Sequence, residues 1–147
     1  MTLTVTVASP ELSRQVLVEC LRDFGQVRLT VSGDCMAPAV REGDVVTLVA
    51  ASRRRPRVGD VVLASVGNGF RLHRLLWAPR RGRWRIKADR APTWDAAVHG
   101  RDILATAVDV RTAARARPTR SAGWWMRSLL AVAGAHGRAL GRPRRAI

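Results

Sequence analysis

Val27-Arg28-Leu29-Thr30-Val31-Ser32-Gly33-Asp34-Cys35-Met36-Ala37-Pro38 is the stretch on which the reading of this chain turns. Val27, Leu29 and Val31 alternate with polar neighbours, the period-two pattern of a half-buried strand, predicted over 27–32. Gly33 permits a turn and Pro38 fixes one, so Cys35 falls on a sharp bend directly after the strand. A thiol held by a rigid strand yet open to solvent is well placed to act as a nucleophile.

Outward from this stretch, the N-terminal flank reads as helix. Ser9-Pro10-Glu11 offers a capping serine and a first-turn proline. Leu12, Val16, Leu17, Cys20, Leu21 and Phe24 follow at helical spacing, and Gly25 is a natural stop, which predicts a helix over 9–24. On the other side, short β-branched runs separated by Gly, Pro, Asp and Arg predict strands at 45–50, 61–66, 70–77, 83–88 and 103–110. Gly43-Asp44-Val45-Val46 recurs as Gly59-Asp60-Val61-Val62, which reads as one tight turn used twice to feed a buried strand. The expected fold is mainly β with flanking helices: an antiparallel, partly barrel-like β domain over 27–110. An N-terminal helical segment over 1–26 precedes it, and a basic linker and tail over 111–147 follow. Within that tail Ala122 to Leu140 predicts an amphipathic helix, with Trp124, Trp125, Leu129 and Leu130 apolar and Arg127 and Arg138 charged.

The 147 residues, 47% of them hydrophobic, predict one globular unit rather than a disordered chain. The net charge of +15 rests almost wholly on arginine, Lys87 being the single lysine. Such a charge suits nucleic acid or an anionic membrane surface. An Arg- and Ala-rich composition also arises from codon bias, and the excess lies in runs such as Arg53-Arg54-Arg55, Arg80-Arg81 and Arg142-Pro143-Arg144-Arg145 that read as loops and tail. Two cysteines, Cys20 and Cys35, make no disulfide framework, and Cys20 reads as core. Met1 to Ser9 lacks the basic start and apolar run of a secretory signal. No stretch reaches the roughly 20 apolar residues of a transmembrane helix. The expectation is a cytoplasmic protein, or one peripheral on the cytoplasmic membrane through the paired tryptophans of the tail.

Cys35, His73 and Asp95 are the residues that carry chemistry. A thiol with an ordinary pKa of about 8.5 needs help at neutral pH, which an imidazole can give and a carboxylate can orient. Spacing alone does not single these three out. A lone cysteine in a turn is commonly incidental, and a histidine within Phe70-Arg71-Leu72-His73-Arg74-Leu75-Leu76 is commonly a satisfied core or surface residue.

The segment VSGDCMAPAVREGDVV closely resembles the nucleophile box of type I signal peptidases and their LexA-like relatives, with Cys35 in the serine position. RVGDVVLAS resembles the following Gly-Asp box, and RLHRLLW the general-base box, in which archaeal and endoplasmic-reticulum members carry histidine followed by arginine. Lys87-Ala88-Asp89-Arg90-Ala91-Pro92-Thr93-Trp94-Asp95 resembles the K-G-D box, with Ala88 for the usual glycine. Asp95 stands six residues after Asp89, where the histidine-type enzymes place a second aspartate. The resemblance spans 27–110 in the family's order. No N-terminal membrane anchor of the kind typical of signal peptidases is expected from these residues.

The resemblance implies an endopeptidase that cuts after small residues by acyl transfer. Cys35 attacks a peptide carbonyl, His73 takes the thiol proton and returns it to the leaving amine, and Asp95 holds His73 in its useful tautomer. Backbone N–H groups of Gly33, Asp34 and Met36 at the bend supply the substrate and oxyanion contacts. A peptide or protein substrate joins as an added strand along the strand ending at Ser32. His99 is a rival base, Asp89 reads as a structural turn residue, and Lys87 acts as a base only if it points inward, which is not expected. No cofactor and no metal are expected, since Cys35, His73 and His99 lack paired ligand spacing. Two other functions compete: a relative that keeps the fold without catalysis, and a self-cleaving LexA-like regulator with Ala133-Gly134 as its cut. One helix before the core is too little for a helix-turn-helix domain, which argues against nucleic acid as a partner.

Overall fold

The computed structural model describes residues 3–5, 10–112 and 116–118. Their elements, in chain order, are β1 (Leu3–Val5), α1 (Pro10–Phe24), β2 (Gln26–Thr30), β3 (Val45–Ala50), β4 (Val61–Val66), β5 (Gly69–Trp77), β6 (Arg83–Lys87), β7 (Val98–His99), β8 (Ile103–Arg111) and β9 (Ala116–Pro118). The sheet runs β1-β2-β3-β8-β4-β5-β6-β7, with β9 also on β8. Every pairing is antiparallel except β1 with β2. Mainly antiparallel β with one helix is therefore the architecture of the described residues, and no pairing among them closes the sheet into a barrel. The tail helix with Trp124, Trp125, Leu129 and Leu130, and the capping Ser9, lie outside the described residues.

The six strands expected from the sequence are all present, each within two residues of its expected ends. Three short strands escaped the sequence reading. Leu3–Val5 falls within the segment read as helical, and Ala116–Pro118 within the segment read as linker. Val98–His99 is only two residues long. None is long enough to show a period, and each exists because a neighbouring strand offers an open edge.

Helix α1 seats Leu17 and Leu21 on the sheet, with Cys20 packed beside them. Arg14 reaches across to Ser65 Oγ at 2.8 Å and the Gly67 carbonyl at 3.0 Å, tying the helix to the β4–β5 turn. Val16 and Phe24, read as part of the apolar stripe, are 37% and 43% exposed. The buried stripe is the narrow one at positions 17, 20 and 21, and its flanks stay in solvent. Gly25, at φ +70°, ends the helix in the left-handed conformation, and its carbonyl accepts the Ala50 N–H at 2.9 Å.

β4 is buried on both faces. Val61 and Leu63 enter the core beneath α1, while Val62 and Ala64 enter a second core with Leu75, Ile86, Val98 and Ile103. Register shifts interrupt the ladders at Thr47/Leu48, Leu63/Ala64 and Leu75/Trp77, irregularities of the kind that bend a sheet.

The repeated Gly-Asp echo is one turn built twice. The Asp44 N–H donates to the Arg41 carbonyl at 3.1 Å, and the Asp60 N–H to the Arg57 carbonyl at 3.0 Å. Gly43 and Gly59 take φ of 82° and 93°, the positive value a type II turn needs. Each aspartate then accepts the backbone N–H three residues back at 2.9 Å, and both are buried. Their role is structural, as the echo implied.

Candidate functional site

Cys35 sits on a loop stapled at its base. The Val31 N–H donates to the Asp44 carbonyl at 2.8 Å, and the Gly43 N–H to the Val31 carbonyl at 2.9 Å. Between these bonds residues 32–42 form a compact loop, with Gly33 at φ +87° opening the bend. Met36 anchors it: its side chain is 1% exposed in the main core, and its Sδ accepts the Asp89 N–H at 3.4 Å. The Arg90 N–H donates to the Cys35 carbonyl at 3.0 Å, and the Arg90 guanidinium pairs with Asp34. Gly33, Asp34 and Cys35 are exposed, so the thiol is free and open to solvent on a backbone pinned from below.

The loop is pinned by the segment that follows β6, which is itself held by an ion pair. Arg74, 1% exposed, donates from Nε and Nη2 to both oxygens of Asp89 at 2.9 and 2.8 Å, and from Nη1 to the Gly59 carbonyl at 2.7 Å. A bidentate arginine–carboxylate pair has a fixed geometry. It therefore sets where residues 88–90 lie, and through them where Cys35 lies. Asp89, expected to be a structural turn residue, is engaged in this ion pair with Arg74.

His73 and Asp95 meet. Nδ1 of His73 hydrogen-bonds Oδ2 of Asp95, and Arg71 approaches the other carboxylate oxygen at 3.9 Å. Along β5, Leu75 enters the second core, so His73, two residues earlier, lies on that same face with its side chain 10% exposed. The Asp95 N–H donates to the Ile86 carbonyl at 3.2 Å, which brings the aspartate alongside β6. With Nδ1 engaged by the carboxylate, Nε2 is the ring nitrogen left to accept a proton. Asp95 also lies close enough for its charge to act on the Cys35 thiol and on the Lys87 amine. His99, the rival base, is exposed on β7, where it pairs with Arg83, and its N–H bonds Asp102 at 3.2 Å.

The electrostatics at Cys35 oppose thiolate formation. Partial burial pushes the thiol pKa above the ordinary cysteine value, and the charges of Asp34, Asp95 and Asp89 add to the rise. Its own backbone N–H favours the anion and offsets part of this. The balance of these effects favours the protonated thiol over the thiolate.

Lys87 departs from expectation. It is 3% exposed, points inward, and donates from Nζ to the Ala88 carbonyl at 3.1 Å. Burial lowers its pKa, against the opposing pull of Asp89 and Asp95. It pairs in register with Arg74 on β5, the neighbour of His73. The sequence held one signal for it: a chain this rich in arginine keeps a single lysine, within a motif. The Arg74–Asp89 and Arg71–Asp95 pairs had no such signal, because any of many arginines can reach a given carboxylate. Among the described residues no helix is long and apolar enough to cross a membrane. No protein-family model matches this chain, and no curated protein matches it.

Proposed function

We propose that this protein is an endopeptidase of the signal peptidase and LexA-like type, in which Cys35 replaces the usual serine. The observation that carries the proposal is the hydrogen bond between His73 on β5 and Asp95 in the segment after β6, two residues 22 apart in sequence. It is joined by an exposed cysteine whose loop is fastened to the segment leading to that aspartate. The open, mainly antiparallel sheet is compatible with a LexA-like fold.

In this reading His73 Nε2 removes the thiol proton as Cys35 attacks the substrate carbonyl, and Asp95 steadies the imidazolium that forms. The N–H groups of the bend, from Gly33 to Met36, receive the developing oxyanion. His73 then protonates the leaving amine, and water releases the acyl group from sulfur. A thiol that keeps its proton at rest suits general-base activation during the reaction rather than a pre-formed ion pair. The substrate is a peptide or protein segment in extended form, cut after small residues.

A second reading is a binding domain that keeps the fold without catalysis, with Cys35 exposed but inert. Digestion of a mixed peptide library, read by mass spectrometry, separates the two. The peptidase reading predicts cleavage after small residues by the wild type, lost in Cys35→Ala and reduced by roughly 100-fold or more in His73→Ala. No cleavage by the wild type, or equal cleavage by Cys35→Ala, supports the binding domain.

A further inference from the structure

At one end of the sheet exposed apolar side chains and free positive charge fall together. Trp77 closes β5 at 59% exposure, and Trp94, 40% exposed, lines one open surface with it, Leu76 and Arg85. The register shift between Leu75 and Trp77 sets Trp77 opposite Arg85 and off the face that carries Leu75 and His73. The Gly59 N–H donates to the Leu75 carbonyl at 2.7 Å, which brings the turn containing Val58, 44% exposed, to the same end. Folding leaves all three apolar side chains in water, and grouped in this way they mark a contact surface. The chain around them is cationic. From Arg53 to Arg85 the sequence holds ten arginines and one acidic residue, Asp60. Asp60 is buried between the Arg57 N–H and the Arg54 guanidinium, so its charge does not reach the surface. Arg80, Arg81, Arg83 and Arg85 are exposed on and beside the β5–β6 turn, and none of them forms an ion pair among the described residues.

We propose that this end of the molecule docks on an anionic lipid bilayer. Tryptophan sets an apolar ring and a single N–H donor at the level of the headgroups, and arginine lays its stem along apolar surface while its guanidinium stays on the phosphates. Unpaired arginines around apolar side chains complement a negatively charged leaflet, and each one held against it adds about fivefold to the affinity. Val58 weighs against a nucleic acid strand as the partner. Its isopropyl group gives a base nothing to stack on, whereas the acyl boundary of a bilayer takes it in. The surface uses neither Cys35 nor the His73–Asp95 pair, so the proposal stands apart from the peptidase reading. It also differs from the contact expected of Trp124 and Trp125 in the tail.

The test uses the full chain with sucrose-loaded vesicles of phosphatidylglycerol or of phosphatidylcholine, read by sedimentation. The expected result is binding to phosphatidylglycerol about tenfold or more tighter than to phosphatidylcholine, weakened by added sodium chloride. Arg80→Glu combined with Arg81→Glu should weaken it about tenfold or more. Trp77→Ala should weaken it about fivefold. Circular dichroism should not change in either variant, because these side chains are exposed. Equal binding to the two lipids overturns the proposal, as does binding to neither. Binding to phosphatidylglycerol that neither variant weakens also overturns it, and would give the contact to the tail. So does affinity for an oligouridylate, lost in the arginine variant, without affinity for phosphatidylglycerol, which would give the surface to RNA. Since no turnover is read, loss of the peptidase reading and loss of the lipid contact are separately visible.

Discussion

Asp34 bears directly on the reactivity of its neighbour. Its negative charge helps hold the Cys35 thiol above the ordinary cysteine value, after partial burial and together with Asp95 and Asp89. Alkylation of Cys35 by iodoacetamide should therefore keep accelerating with pH beyond the point where a free cysteine levels off. Asp34→Asn should bring that titration down, because it removes one charge that opposes the thiolate and frees Arg90 beside it. An unchanged or higher midpoint in Asp34→Asn would contradict this. The sequence singled out Cys35, His73 and Asp95 through motifs that resemble one family's boxes, and the structure joins two of the three, His73 and Asp95, by a hydrogen bond. What the sequence did not carry is the share of the charge around the thiol that comes from Asp89 and Asp95, brought in from a distant loop.

The β5–β6 ribbon and the segment after it act as the rack for the site, and the Arg74–Asp89 pair is its fastening. Both groups are nearly excluded from water, at 2% and 7% side-chain exposure. Removing one partner leaves a buried charge uncompensated, a loss of roughly 3–5 kcal/mol. Asp89→Ala and Arg74→Ala should each lower stability by that order in urea unfolding, and should loosen the Cys35 loop that Asp89 and Arg90 tie down. A loss below about 1 kcal/mol in both would show the pair to be as weak as a surface ion pair. At this scale the long strands were readable because β-branched runs bounded by Gly, Pro, Asp and Arg mark them, as Val45–Ala50 and Val61–Val66 show. The edge strands at Leu3–Val5, Val98–His99 and Ala116–Pro118 were not. Their conformation is set by the partner strand, and three residues hold no period. The turns were readable in detail, since Gly43 and Gly59 each supply a positive φ that the Gly-Asp pattern demands.

Across the whole molecule, two cores share β4, and the site lies where the elements that flank them meet. Lys87 is buried there, and its pKa is lowered chiefly by desolvation. The folded protein then binds fewer protons than the unfolded chain between that lowered value and the ordinary lysine range, so stability rises with pH across that window. Lys87→Met should remove the rise and be more stable than the wild type at neutral pH, since the Ala88 carbonyl still accepts the Ala91 N–H at 3.2 Å. Urea unfolding at neutral and alkaline pH checks both statements, and a less stable variant would contradict them. The cationic face of the molecule was visible as composition, but which arginines stay free depended on the fold. The central claim is that His73, held by Asp95, activates Cys35. It is tested most directly by acetylation with p-nitrophenyl acetate at neutral pH, followed by mass spectrometry, with Cys20 as the internal control. The predicted result is acetyl transfer to Cys35 at least roughly 100-fold faster in the wild type than in His73→Ala. Equal rates in the two proteins would contradict it.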